Sequence, residues 1–195
     1  KPNELARERR YIGYNIENTR KAYGLSQIEE VAFPVSDKLS MEDVRSNDVT
    51  IQNIRIWDER PLLQTYTQIQ AIRLYYNFNN VDVDRYVIDN QLRQVTLAAR
   101  ELIVNQLPPQ ANTWVNRHLI YTHGYGLALS PVNEVTREGL PQLLIKDLPP
   151  SFDADLKVER PEIYYGEKTD EYVLVKTKTE EFDYPRGDKN VYTIY

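Results

Sequence analysis

Apolar positions recur at helical spacing at the start of the chain and alternate with polar ones through its middle. Leu5, Ile12, Ile16 and Tyr23 fall near one face of a helix that Asn3 can cap. Gly24 supplies a left-handed stop, so a helix is predicted to about Tyr23. IEEVAFPVS (28–36) reads as a short strand ended by Pro34, and MEDVRSND (41–48) as a polar connector. TIQNIRIW (50–57) sets Ile51, and then Ile54 and Ile56, against polar residues, as a half-buried strand with one register shift does.

Asp58 before Glu59-Arg60-Pro61 marks a helix start, and Leu62, Tyr66, Ile69 and Ile72 continue it over about 60–72. LYYNFNNVDVDRYVID and RQVTLAARELI flank Asn90-Gln91, which predicts a long hairpin over about 74–102. Tyr76, Phe78, Val81 and Val83 break strict alternation, as a bulge near Asn79-Asn80 would make them do. After Leu107-Pro108-Pro109-Gln110, a helix of two to three turns is expected over about 112–123, capped by Asn112 and ended by Gly124. Short strands are expected at 127–135, 142–147, 162–165, 171–178 and 191–195. Helices and strands mix without regular βαβ alternation. The expected class is therefore α+β, with mainly antiparallel short strands and about three helices. Length fits one domain over residues 1–195, divisible into sub-lobes 1–107 and 108–195.

Composition narrows the chemistry. The 195 residues include no cysteine, which removes disulfides, thiolate nucleophiles and sulfur-bound zinc. Net charge is −5, a mildly acidic balance that disfavours nucleic acid as a partner. Residues 1–23 nevertheless carry six basic and three acidic side chains. That basic start can lie near a membrane surface, or can be a solvated helix face. Fifteen tyrosines, many in strand-like segments, suit a pleated surface with one wet edge, and an aromatic surface can also bind sugars or lipids.

The richest stretch for a site is 112–135, with Trp114, His118, His123, Tyr125 and Glu134 as candidate binding residues. The histidines stand five apart, which is not the spacing of a zinc pair on one helical face. At a helix end His123 would meet the negative end of the helix dipole, and Gly124 and Gly126 would let backbone approach around Tyr125. The same residues also suit a capped helix whose terminal histidine bonds the last carbonyls. Asn80, Asp82 and Asp84 echo the start of a calcium loop, but Arg85 and Gln91 occupy its glycine and glutamate positions. No metal and no cofactor are expected. Trp57-Asp58-Glu59-Arg60 reads as a helix cap rather than an acid–base pair. No nucleophile elbow, phosphate loop or dinucleotide fingerprint is present.

Residues 112–135, WDERPLLQTY (57–66) and RLYYNFNNVDVDRYVID (73–89) resemble uncharacterised protein family 0182, large bacterial multi-pass membrane proteins with a big extracytoplasmic part. The likeness runs from NELARERRYIGYNIENTRKAYGL to EFDYPRGDKNVYTIY. It implies a fragment of the extracytoplasmic side of a cell-membrane protein whose membrane helices lie upstream. The function expected on that basis is a non-enzymatic envelope module that binds a lipid, a polymer or a partner protein. The alternative is a hydrolase or transferase with His123, alone or with His118, as general base and an acidic residue such as Glu134 as its orienter.

Overall fold

The computed structural model describes residues 3–195 and is α+β. The chain forms two compact units, one reaching to Met41 and the other running from Glu42 to Tyr195. In the first, α1 (Glu4–Ala22) is followed by a 3-10 turn at Leu25–Gln27. Asn3 precedes α1 in a left-handed conformation and makes no side-chain cap, while Gly24 does take the expected left-handed turn. Residues 29–36 join no sheet, so the strand expected there is absent among the described residues.

In the second unit α2 (Met41–Ser46) and α3 (Asp48–Ile51) replace the expected connector and strand. Ile54 and Ile56 stay half-exposed: the Ile56 N–H donates to the Val132 carbonyl at 3.0 Å, but a single such bond builds no ladder, and alternation alone makes no strand. α4 (Glu59–Gln70) starts as its sequence dictates: the Asp58 carboxylate accepts the Arg60 N–H at 3.1 Å. Leu62, Tyr66 and Gln70, four apart, form its buried face.

The strands are β1 (Tyr76–Phe78), β2 (Asp82–Ile88), β3 (Gln91–Leu102), β4 (Gly124–Tyr125) and β5 (Leu127–Pro131). They continue as β6 (Ile145–Lys146), β7 (Ser151–Phe152), β8 (Glu162–Ile163), β9 (Glu181–Arg186) and β10 (Lys189–Thr193). β3 is the spine. It takes β2 over Gln91–Leu97, β1 over Arg100–Leu102 and β5 over Val95–Ala99, all antiparallel. The main sheet runs β1-β3-β5-β6-β7 with β2 on β3, beside two small sheets, β9–β10 and β4–β8. The β2–β3 turn is Asp89-Asn90, both at positive φ as a two-residue primed turn requires, one position before the expected one. At Asn79-Asn80 the strand stops and restarts, and the two amides bond the Glu167 carboxylate; the alternation breaks there for that reason rather than through a bulge.

α4 lays Leu62 and Tyr66 on Phe78, Val81, Ala98 and Ala128. The buried Tyr66 hydroxyl reaches Ser130 Oγ at 2.6 Å and Thr96 Oγ1 at 3.1 Å, so the polar atom it brings inside is partnered. Tyr76, Leu102 and Phe182 form a second cluster that joins β1 and β3 to β9. Among the described residues no helix is long and apolar enough to cross a membrane.

Candidate functional site

The helix expected over 112–123 is not formed as such. A 3-10 turn spans Pro109–Ala111 and a π-helical turn Asn116–Ile120, after which the chain straightens through Thr122 and His123 into β4. His123 therefore ends no helix. β4 crosses β3 closely enough that a Cβ on Gly124 would sit 2.3 Å from the Arg100 carbonyl oxygen, so this position admits only glycine. The backbone here is held by Arg100, which is fully buried. Its guanidinium donates to the carbonyls of Gln70 (2.7 Å) and Tyr125 (3.0 Å), and burial lowers its pKa to about 10.

β9 alternates. Phe182 enters the core, while Glu181 and Asp183 turn to the opposite face and enclose His123. The Thr122 hydroxyl donates to Glu181 Oε2 at 2.5 Å and lies 2.9 Å from His123 Nδ1. Having one hydrogen and directing it to the carboxylate, it accepts from an Nδ1–H, which fixes the ring's proton on that nitrogen. Nε2 faces Asp183 Oδ1 at 3.4 Å without a hydrogen bond. Glu181 also accepts from the Tyr164 hydroxyl at 2.9 Å and from the Lys176 N–H at 3.3 Å. The Tyr195 hydroxyl lies 2.9 Å from Glu162 Oε1 and 3.0 Å from Asp183 Oδ1. Burial, then the carboxylates they touch, raises the Tyr164 and Tyr195 phenols far above the ordinary range, so both remain donors. Burial, then Asp183, pushes Tyr125 up to about 12. Against Glu162 burial acts upward, but its hydrogen bonds from backbone, Arg160 and Tyr195 prevail and lower it.

His118 has a different setting. Its ring stacks on Tyr172 at 4.3 Å with 9° between planes, and Trp114 leans on it at 5.1 Å. Its Nδ1 lies 2.7 Å from the Tyr172 carbonyl oxygen, and its own carbonyl accepts the Leu174 N–H at 2.8 Å. Beside this stack a cleft of about 600 Å³ opens, walled by Tyr164, Tyr165, Tyr172, Tyr195, Val173 and Val175 and edged by Arg160 and Lys176. Tyr165 is 99% exposed. The wall is fixed from behind by Glu101, whose buried carboxylate accepts the Glu167 and Lys168 N–H groups at 2.9 and 2.8 Å. Arg117 bonds Glu171, Asn105 and Asn112 and secures the other side.

Of the residues singled out in the sequence, Trp114 and His118 come together, with rings 5.1 Å apart, at a neighbouring hollow that meets this cleft at Tyr172. His123 does not line the cleft: its ring packs behind Tyr164 and Tyr195, 6.3 Å from the Tyr125 ring, and residues 122–124 border a separate cavity of about 160 Å³. Glu134 does not join them: it pairs with Arg93, and the carboxylates beside His123 are Glu181 and Asp183. Those two, with Tyr164, Tyr172 and Tyr195, were missed. The aromatic-and-acidic alternation of EFDYP (181–185) was the available signal. Over 171–178 the expected strand is absent, and the chain there is an irregular wall of the cleft. Among the described residues no three histidine, aspartate or glutamate side chains are grouped to hold a metal.

An enclosed histidine and an open tyrosine cleft on an α+β frame define a domain with one buried polar knot and one accessible aromatic surface. The chain belongs to the Uncharacterised protein family (UPF0182), whose sequence model matches residues 1–195. It is 56% identical over 194 residues to a UPF0182 protein of Pelotomaculum thermopropionicum and 54% identical over 194 residues to one of Trichodesmium erythraeum. In both, the match covers all of this chain and 21% of the relative, so the chain spans about a fifth of their length. A UPF0182 protein of Geobacter sulfurreducens is 52% identical, with 22% of its length covered. No solved structure matches the chain.

Proposed function

We propose that this region is a non-enzymatic binding module on the extracytoplasmic side of a multi-pass membrane protein, and that its binding site is the tyrosine cleft. The observation that carries this reading is the combination of an open, largely apolar cleft of about 600 Å³ with walls already fixed by Glu101, Arg117 and the His118–Tyr172 stack. A preformed aromatic surface loses little freedom on binding and stacks against flat apolar faces, while Lys176 and Arg160 at the rim favour a ligand with polar or anionic edges. Such a ligand is a polymer or lipid of the cell envelope. The hydrolase or transferase alternative asks His123 to act as general base, yet its side chain has no exposed surface and lies behind Tyr164 and Tyr195. The cavity of about 160 Å³ that residues 122–124 border is much smaller than the cleft, and the imidazole contributes no exposed surface to it.

The test is mass spectrometry of small molecules released from purified full-length protein, wild type beside a Tyr165→Ala/Tyr172→Ala variant. A molecule carried by the wild type and lost from the equally folded variant is the expected result. Equal retention by both rules the cleft out as the site.

A further inference from the structure

Residues 4–41 carry an apolar surface that nothing within their own unit covers. α1 has no buried residue, and Leu5, Ile12, Ile16 and Tyr23, spaced seven, four and seven, mark a stripe along one side. Past the helix, Val31, Phe33 and Val35 are 75%, 86% and 83% exposed, at the two-residue period of a strand that has one apolar face. They sit outside every sheet of the described residues. A helix stripe and a strand face, both bare and consecutive, exceed the scattered apolar exposure of ordinary surfaces.

We infer that residues 4–41 are a docking segment whose occupant is a protein surface from the same polypeptide outside residues 1–195, offering an apolar groove to the stripe and an open strand edge to 31–35. The relatives leave ample chain for this, since the match takes up 21% of their length. Charge gives the extended part no attraction to an anionic bilayer: α1 has five basic and three acidic side chains, but Glu29, Glu30 and Asp37 are set against only Lys38 over 28–41. A bilayer also offers no partner to the free backbone of an extended segment, whereas a sheet edge does. A second copy is disfavoured because Arg9 and Thr19 occupy the two places in the stripe where a self-paired coiled coil needs an apolar residue.

Hydrogen exchange read by mass spectrometry tests this on purified full-length protein, with the 1–195 chain in the same detergent as the comparison. Amides of 31–33 and 35 and of α1 are expected to exchange at least about tenfold slower in the full-length protein, while those of 95–99 match in both. Phe33→Asp in the full-length protein should abolish the slowing at 31–35 and leave 95–99 unchanged; Phe33→Ala serves the same reading if the aspartate variant does not accumulate. Equal exchange at 31–35 in the two wild-type proteins overturns the inference, as does slowing that survives both substitutions. Slowing in the 1–195 chain on adding phosphatidylglycerol vesicles assigns the surface to lipid instead. Slowing that grows with the concentration of the 1–195 chain assigns it to a second copy.

Discussion

His118 and His123 are five positions apart and occupy opposite environments. His123 is locked between two acids of one strand, its Nδ1–H bonded through Thr122 to Glu181, with no surface left for a ligand. His118 is part of an aromatic stack at the rim of an open cleft, its backbone and ring bonded to the wall that carries Tyr172. A histidine beside two glycines invites a general-base alternative in sequence, yet here it lies between two acids and ties the start of β4 to β9 and to Tyr164. The plainer tyrosines provide the accessible surface. Burial of the polar cluster and exposure of the aromatic one are the contrast on which the proposed binding role of the cleft rests.

Removing Glu181 is the most damaging way to probe that contrast. Glu181→Ala leaves the Thr122 and Tyr164 hydroxyls and the Lys176 N–H without their shared acceptor. At about 1–3 kcal/mol for a buried group left unsatisfied, with the Thr122 hydroxyl buried and the other two part-buried, a loss of about 2–3 kcal/mol is expected in chemical denaturation. Gly124→Ala forces a methyl group against the Arg100 carbonyl and should cost about 1–3 kcal/mol by the same measurement, the usual scale of overpacking. Tyr165→Ala changes stability by less than about 0.5 kcal/mol, as for surface positions generally, because the side chain is 99% exposed. A larger loss there would show that the cleft wall is structural and collapse the contrast.

Alkali separates the two regions more gently. Tyr125 has its pKa raised from 10.0 to about 12, by burial first and then by Asp183. A phenol that holds its proton more tightly when folded contributes stability that is complete below the unfolded value near pH 10 and is lost as pH rises through about 12. Absorbance at 295 nm in Tyr125→Phe and wild type should therefore differ by a transition near pH 12. A difference that titrates near pH 10 contradicts the buried environment assigned to this ring.

What could be read in the sequence was local. Asp58 and Pro61 set the start of α4, and Asp89-Asn90 with its flanking β-branched residues set the β2–β3 hairpin, because caps and tight turns depend on neighbours in the chain. TIQNIRIW was misread because its first residues close α3 and its last make one backbone bond, Ile56 to Val132, rather than a ladder; ladders are a property of topology. β9 was overlooked because Glu181 and Asp183 face inward, inverting the usual rule that charged positions mark the wet face, and Pro185 speaks against a strand. His123 was singled out at a helix end that does not form, and its acids lie 58 and 60 positions downstream, where only folding brings them to it. The cleft was unreadable for the same reason: Tyr164, Tyr172 and Tyr195 are far apart in sequence and share no period.

The central claim is that the tyrosine cleft carries function and His123 carries structure. Complementation of a gene deletion by full-length variants, paired with thermal unfolding of each purified protein, tests it most directly. His123→Gln is expected to unfold at lower temperature yet restore the wild-type phenotype, and Tyr165→Ala/Tyr172→Ala to keep most of its stability yet fail to restore it. A stable His123→Gln protein that fails, beside a tyrosine variant that complements, would place the activity at the imidazole and contradict the account.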